Sequence, residues 1–225
     1  MDASLLPLSL TLVTGICWVV VYLESIRVGF SQKTCAMPFW ALALNFAWEF
    51  LHTFSAFGQD GFSLQVVING AWCVFDIGLM YTYFRYGRKH FPQNLDPDWF
   101  ISWSLMVIAT SFMLQYAFIV EFGSTVGRQF SAFLQNLLMS VLFINMLVRR
   151  GGSEGQNLVI AINKWIGTLA ATLSYGVLTA PGFPKPSFLI LVSGMLCTVF
   201  DLLYIVMLAK VRSRERQGEV SPVLW

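Results

Sequence analysis

Acidic side chains inside long apolar segments are the residues of this sequence whose type and position could do chemistry. Glu49, Asp76 and Asp201 each lie several turns from the ends of such a segment. A charge at the centre of a bilayer costs from ~3 kcal/mol on insertion scales to more than ~10 kcal/mol in simulations. Desolvation disfavours the charged form of a carboxyl group, and a second carboxyl group nearby disfavours it further. Such a group can hold a proton at neutral pH and act as a Brønsted acid beside an apolar cavity.

Further polar and aromatic residues recur on the same helix faces as these acids. Asn45, Glu49 and His52 occupy positions i, i+4 and i+7 of one predicted helix, which places them along one side of it. The third predicted helix has Trp72 and Asp76 at similar spacing, and the seventh has Asp201 and Tyr204. A structural interpretation stays open, in which the carboxyl groups only bond to Asn, Tyr or Trp donors on adjacent helices and fix their packing.

Aromatic residues make up 16% of the chain, and several lie close to the acids, including Trp48 and Phe75. Their ring faces could stabilise a cation that has no water around it. Most of the 20 Phe side chains are expected to face lipid or to pack between helices. A strong acid in a dry aromatic cavity nevertheless suits the protonation of a lipophilic substrate and the guidance of a carbocation.

The elements that must position these residues are transmembrane helices, because 56% of the 225 residues are hydrophobic and 12% are charged. A span needs about 20 mostly apolar residues. The sequence predicts an all-α, seven-helix bundle that forms a single domain over residues 1–225. The predicted spans are 5–26, 37–57, 62–84, 99–120, 129–148, 157–179 and 187–209.

The basic residues predict how this bundle is oriented. Eleven Lys and Arg residues fall in the first, third and fifth connections or after the last span, whereas only Arg128 and Lys185 fall on the other side. Basic residues favour the cytosolic side. The N-terminus is therefore predicted to be lumenal or outside, and the C-terminus cytosolic. Glu24 and Lys164 lie near predicted cytosolic helix ends and are expected to extend their charged groups to the interface.

Several classes of site are not supported by the sequence. The net charge of +2 is too small to indicate nucleic-acid binding, and no basic stripe is interleaved with aromatic residues outside the spans. The four cysteines show no CxxC or other metal-binding spacing, so buried free thiols are expected rather than a disulfide framework. Neither a metal nor a cofactor is predicted.

Three short segments resemble the fungal transmembrane terpene cyclases of meroterpenoid and indole-diterpene pathways. They are Asn45-Phe46-Ala47-Trp48-Glu49-Phe50, Trp72-x-x-Phe75-Asp76 and Phe200-Asp201-x-x-Tyr204. The resemblance covers essentially the whole chain and includes the order of the motifs. The chain lacks the DDxxD, NSE/DTE and DxDD motifs of soluble terpene cyclases, which agrees with this interpretation.

The resemblance implies a metal-independent cyclase in the endoplasmic reticulum membrane. Its partner would be a lipophilic epoxyprenylated small molecule, with a farnesyl or geranylgeranyl chain on an aromatic or polyketide head. The enzyme would protonate the terminal epoxide and guide the cyclisation of the carbocation. The acidic pair of the family corresponds to Glu49 and Asp201, while Asn45, Trp48, His52, Trp72, Asp76 and Tyr204 would support the site or bind substrate.

The main alternative is a seven-helix carrier in which buried acids relay protons or bind substrate. Such carriers typically interrupt their helices with prolines in the middle of a span, and this sequence has none there. A retinal protein would need a Lys near the middle of the last span, and the candidate Lys164 lies in the sixth. A G-protein-coupled receptor would need signatures such as a DRY-like triplet, which this sequence lacks.

Overall fold

The computed structural model describes residues 5–60, 64–179 and 183–218. These residues form six α-helices and no strand, which confirms the all-α prediction. The helices are α1 (Leu5–Ser31), α2 (Phe39–Asp60), α3 (Leu64–Tyr86), α4 (Trp99–Arg150), α5 (Leu158–Thr172) and α6 (Phe188–Arg216). A 3-10 helix over Gly87–His90 follows α3, and a π-helical turn over Leu173–Val177 continues α5. The predicted start of the third span at residue 62 and both ends of the chain lie outside the described residues.

The predicted count of seven separate helices is not supported, since the described residues form six. The fourth and fifth predicted spans belong to one helical element, α4, which has 52 residues. The predicted connection between them stays helical apart from Gly123, whose φ of 75° and ψ of 164° are not helical. Almost no residue other than glycine adopts this conformation, so Gly123 is the point where the chain can bend without a loop.

The bend at Gly123 reverses the direction of α4. Gln115 and Gln135 lie 20 positions apart, a separation of about 30 Å in a straight helix. The Gln115 Nε2 atom nevertheless donates to the Gln135 Oε1 atom at 2.6 Å. A Cβ atom on Gly127 would lie only 2.3 Å from the carbonyl oxygen of Phe118, so the chain folds back tightly. The element therefore has two arms that pack against each other, one before and one after Gly123.

The helices close into a ring around the interior of the bundle. In order around this ring, α1 packs on α5, α5 on α6, α6 on α4, α4 on α2, α2 on α3, and α3 on α1. Neighbours in the ring are mostly not neighbours in sequence. Residues on inward faces of several helices are thereby brought to one central space.

The surface of the bundle is apolar and its interior contains ionisable groups. Val74, Met113 and Phe188 are 64%, 73% and 78% exposed. The ionisable side chains at the centre are each at most 2% exposed: Glu49, His52, Asp76, Lys164 and Asp201. Among the described residues, four helices are long and apolar enough to cross a membrane: α1, α4, α5 and α6.

The connections that carry most of the basic residues meet at one end of the bundle. Thr34 after α1 contacts His90 after α3 at 2.9 Å, and Lys89 forms an ion pair with Glu154 after α4. Ser153 bonds to Glu215 near the end of α6. Burial, together with the neighbouring Arg150 guanidinium, lowers the pKa of His90 to about 4, so this ring is neutral at pH 7. The sequence places these connections on the same side, and the structure places them together.

Candidate active site

A cavity of about 240 Å³ lies inside the ring of helices. Its wall comes from α1, α2, α3, the second arm of α4, α5 and the π-helical turn, while α6 contributes no lining residue. The described aromatic residues on this wall are Trp18, Tyr22, Trp48, Trp72, Phe133 and Tyr175. Most lining residues lie where α1 begins and α5 ends, in the half of the bundle away from the basic connections. The described part of the wall therefore combines an aromatic surface with one carboxyl group, one guanidinium group and several amide and hydroxyl groups.

Glu49 supplies the carboxyl group of this cavity. Its side chain lines the wall and is 2% exposed. The Oε2 atom is buried and has no hydrogen-bond partner among the described residues. No ion pair formed by those residues includes Glu49. Glu49 lies four positions after Asn45 on α2, so both of these side chains face the interior of the bundle, as the spacing predicts.

Asp76 lies in a polar network behind the cavity wall. The Nδ2 group of Asn45 donates to the Oδ2 atom of Asp76 at 2.9 Å and also contacts the Tyr22 hydroxyl. The Oδ1 atom of Asn45 accepts from Gln135 Nε2 at 3.3 Å, and Gln135 accepts from Gln115. This network joins α1, α2, α3 and both arms of α4. The sequence left open the interpretation that a buried carboxyl group only fixes helix packing through hydrogen bonds. That interpretation fits Asp76 better than it fits Glu49.

Asp201 lies outside the cavity wall, where Lys164 neutralises it. The Lys164 Nζ atom lies 2.8 Å and 3.0 Å from the two carboxylate oxygens and donates to the Ser140 hydroxyl at 2.7 Å. The expectation that Lys164 extends to the interface is wrong, because its side chain is 1% exposed and paired on α6. Glu24, for which the same was expected, is partly exposed and bonds to Arg27 and Asn157.

The other predicted site residues separate into two groups. Trp48 and Trp72 line the cavity, and the His52 ring lies against Trp48, with 5.0 Å between ring centroids. The Nε2 atom of His52 has no partner among the described residues. Tyr204 does not line the cavity: its hydroxyl donates to Gln156 at 3.0 Å. The structure thus brings four of the eight predicted site residues, all on α2 and α3, to the cavity wall and leaves both α6 residues outside it.

Most of the cavity residues were missed by the sequence analysis, and three of these, Arg128, Gln129 and Tyr175, carry polar groups. Arg128 and Gln129 begin the second arm of α4, and Tyr175 lies in the π-helical turn after α5. Arg128 was noted only as one of two basic residues on the presumed lumenal side. That isolation was the available signal, because a basic residue there is unusual. A π-helical turn, by contrast, leaves no recognisable spacing in a sequence, although such turns are frequent at functional sites.

The fold and the cavity define an all-helical membrane protein with a carboxyl group, Glu49, on the wall of a cavity that is also lined by aromatic rings. The chain belongs to the family of Pyr4-like transmembrane terpene cyclases, whose sequence model matches residues 2–214. The resemblance drawn from the motifs is thereby confirmed. No solved structure matches the chain.

Individual relatives are fungal terpene cyclases. Pyr4-family terpene cyclase mfmH of Annulohypoxylon moriforme is 32% identical over 174 residues, which are 74% of this chain and 68% of that protein. Terpene cyclase pyr4 of Aspergillus fumigatus is 22% identical over 219 residues, 95% of this chain and 90% of that protein. Terpene cyclase macJ of Penicillium terrestre is 26% identical over 173 residues, 75% and 66% of the two chains.

Proposed function

We propose that this membrane terpene cyclase starts its reaction by protonating the terminal epoxide of an epoxyprenyl substrate with Glu49. The observation that carries the proposal is that Glu49 is the one carboxyl group among the described residues lining the cavity. No ion pair of the described residues includes Glu49, and removal of a carboxyl group from bulk water favours its neutral form, which has a proton to give. The substrate class, a farnesyl or geranylgeranyl chain on an aromatic or polyketide head, follows from the resemblance.

The proposed first step is a balanced proton transfer. The Glu49 proton moves to the epoxide oxygen as the bond from that oxygen to the more substituted carbon breaks. The oxygen becomes a hydroxyl group, the carbon becomes a cation, and Glu49 becomes a carboxylate. The neighbouring alkene then attacks the cation, and each ring closure moves the positive charge along the chain until a proton is lost. Trp18, Trp48 and Trp72 present ring surface on which such a charge is stabilised.

In this proposal Asp201 is a positioning residue and does not give the first proton. Its carboxylate faces a cation within the bundle, and its side chain does not line the cavity. Pairing with Lys164 ties α6 to α5, which supplies cavity residues at its far end. Loss of Asp201 would therefore act on the cavity through helix packing.

The proposed chemistry needs neither a metal nor a cofactor, because no diphosphate has to be ionised. The described residues contain no group of three or more His, Cys, Asp or Glu side chains that could hold a metal ion. Activity is expected to survive EDTA. Loss of turnover on chelation that Mg²⁺ restores would contradict the protonation mechanism. We also propose that the protein lies in the endoplasmic reticulum membrane, as the resemblance implies.

The decisive experiment replaces Glu49 by Gln, which keeps size and hydrogen bonding but removes the proton. Membranes are incubated with an epoxyfarnesyl-aryl substrate, and the product is quantified by mass spectrometry. General acid catalysis contributes about 10²–10⁴-fold, and we expect a loss at the upper end of that range or beyond. Glu121→Gln is the matched control, because Glu121 is exposed and does not line the cavity. A Glu49→Gln enzyme that cyclises at the wild-type rate would remove the assignment.

A further inference from the structure

Arg128 is held against the helix that carries the proposed acid. It lines the cavity at the start of the second arm of α4. Its carbonyl oxygen accepts a hydrogen bond from the Trp48 Nε1 atom at 2.9 Å and another from the Ser131 hydroxyl at 3.2 Å. Trp48 immediately precedes Glu49 in α2. The hydrogen bond from Trp48 therefore fixes the backbone of Arg128, on the second arm of α4, beside the residue that precedes Glu49 on α2.

The guanidinium group of Arg128 has no partner in the described part of the chain. The ion pairs formed there do not include Arg128, and its hydrogen bonds involve only the carbonyl oxygen. A guanidinium group carries five N–H donors and stays charged in proteins. The Arg128 side chain is half-buried at the cavity wall, where acceptor oxygens of a ligand could bind these donors. The cavity thus contains a cationic group ready to accept an anionic partner.

Other polar groups on the wall complete a hydrogen-bonding surface beside Arg128. Gln129 Nε2 donates to the Tyr175 hydroxyl at 3.2 Å, which leaves the Tyr175 proton free to be donated. Asn136 Nδ2 donates to the Thr168 hydroxyl at 2.7 Å. The Oδ1 atom of Asn136 is buried without a partner among the described residues. This surface offers both donors and an acceptor, which suits an oxygenated ring better than a hydrocarbon chain.

We propose that Arg128 is a specificity-determining residue that binds an acidic oxygen, such as a carboxylate or enolate, on the head group of the substrate. The inference deepens the proposed function and rests on it for the prenylated substrate. Charge-assisted, bidentate contacts from Arg to an oxyanion are strong and directional. Binding the head at Arg128 would orient the prenyl chain along the aromatic wall so that its epoxide reaches Glu49. A lipid phosphate group could bind Arg128 through the same contacts, so the test distinguishes a lipid from the head group of the substrate.

The test measures binding without turnover. The probes are a farnesylated hydroxybenzoic acid without an epoxide and its methyl ester, and the readout is quenching of tryptophan fluorescence from the cavity. Arg128→Gln is expected to weaken binding of the acid about 10–100-fold, because a hydrogen bond to a charged group is lost, and to change the ester less than about threefold. Arg128→Lys should retain part of the preference. Lys185→Gln removes an exposed cation elsewhere and should change neither ligand.

Three outcomes would overturn the inference. Equal loss of acid and ester in Arg128→Gln would show a structural role, and unchanged binding of both would show no role. Loss of the acid preference when an anionic phospholipid is added to the wild-type protein in detergent would assign Arg128 to lipid phosphate. These outcomes are distinct from a failure of the proposed function, which would appear as no cyclisation of the epoxide by the wild-type enzyme.

Discussion

Asp201 and Glu49 are both buried carboxyl groups, and their partners differ. The Lys164 ammonium group lies within 3.0 Å of both Asp201 carboxylate oxygens, whereas the Oε2 atom of Glu49 has no partner among the described residues. Asp201 is held in an ion pair on the outside of the cavity wall, whereas Glu49 is placed to contact a ligand in the cavity. The contacts of the individual side chains therefore distinguish two acids that the sequence suggested would act as a pair.

Replacing either acid is therefore expected to lower the amount of product, but for different reasons. Glu49→Gln removes the proposed proton donor, whereas Asp201→Asn breaks a buried ion pair. Asp201→Asn leaves the Lys164 charge buried without a counter-charge, which typically costs about 3–5 kcal/mol. We expect less folded protein, seen as a lower thermal midpoint by tryptophan fluorescence in detergent. The double variant Lys164→Met with Asp201→Leu should recover the midpoint, since apolar residues often replace buried pairs without loss. An Asp201→Asn protein as stable as wild type but without product would instead indicate a direct catalytic role.

The reversal within α4 is the main feature at the scale of the element. It brings Gln135 back to Gln115 and sets Arg128 and Gln129 on the cavity wall. Helical geometry is kept on both sides of Gly123, so most backbone groups in the bend stay hydrogen-bonded.

The reversal predicts an intolerance for a side chain at Gly127. A Cβ atom there would lie 2.3 Å from the Phe118 carbonyl oxygen, a backbone atom that cannot move alone. We expect Gly127→Ala to destabilise the protein by about 1–3 kcal/mol, as overpacking does. The matched control is Gly15→Ala on α1, where nothing lies within 4 Å of an added Cβ atom. Equal thermal midpoints of the two variants would contradict the tight reversal.

At the scale of the whole molecule, both ends of α4 lie with the basic connections. Its end is joined to that region through Arg150, which bonds to Cys35 after α1, and its start follows the 3-10 helix. If each arm of α4 crosses the membrane separately, the chain crosses it seven times. The termini would then lie on opposite sides.

We therefore predict that a tag after Trp225 is cleaved by protease from the cytosolic side of sealed microsomes. A tag before Met1 should be protected until detergent is added. The bias of eleven basic residues to two motivates the direction, since basic connections favour the cytosol. Finding both tags on the same side would contradict this topology.

The sequence by itself determined the helical class, the approximate ends of most helices and the interior position of the acids, although two of its predicted helix ends lie inside α4. Apolar runs of this length must be helical in a bilayer, and a charged group on such a helix must turn away from lipid. Both are local consequences of residue type and spacing. Tyr175 shows the limit of this reasoning, because the π-helical turn that presents it gives no periodic signal.

The partner of each buried group, by contrast, was decided only by the tertiary structure. Lys164 meets Asp201 across 37 positions, and Trp48 meets the carbonyl of Arg128 across 80. These contacts depend on the order in which the helices close the ring, with α5 between α1 and α6 and with α4 folded back at Gly123. Spacing along a chain defines the face of one helix, but it does not define which helix that face meets. For that physical reason the sequence indicated Glu49 and Asp201 alike, and the packing separated the group in the cavity from the group in the ion pair.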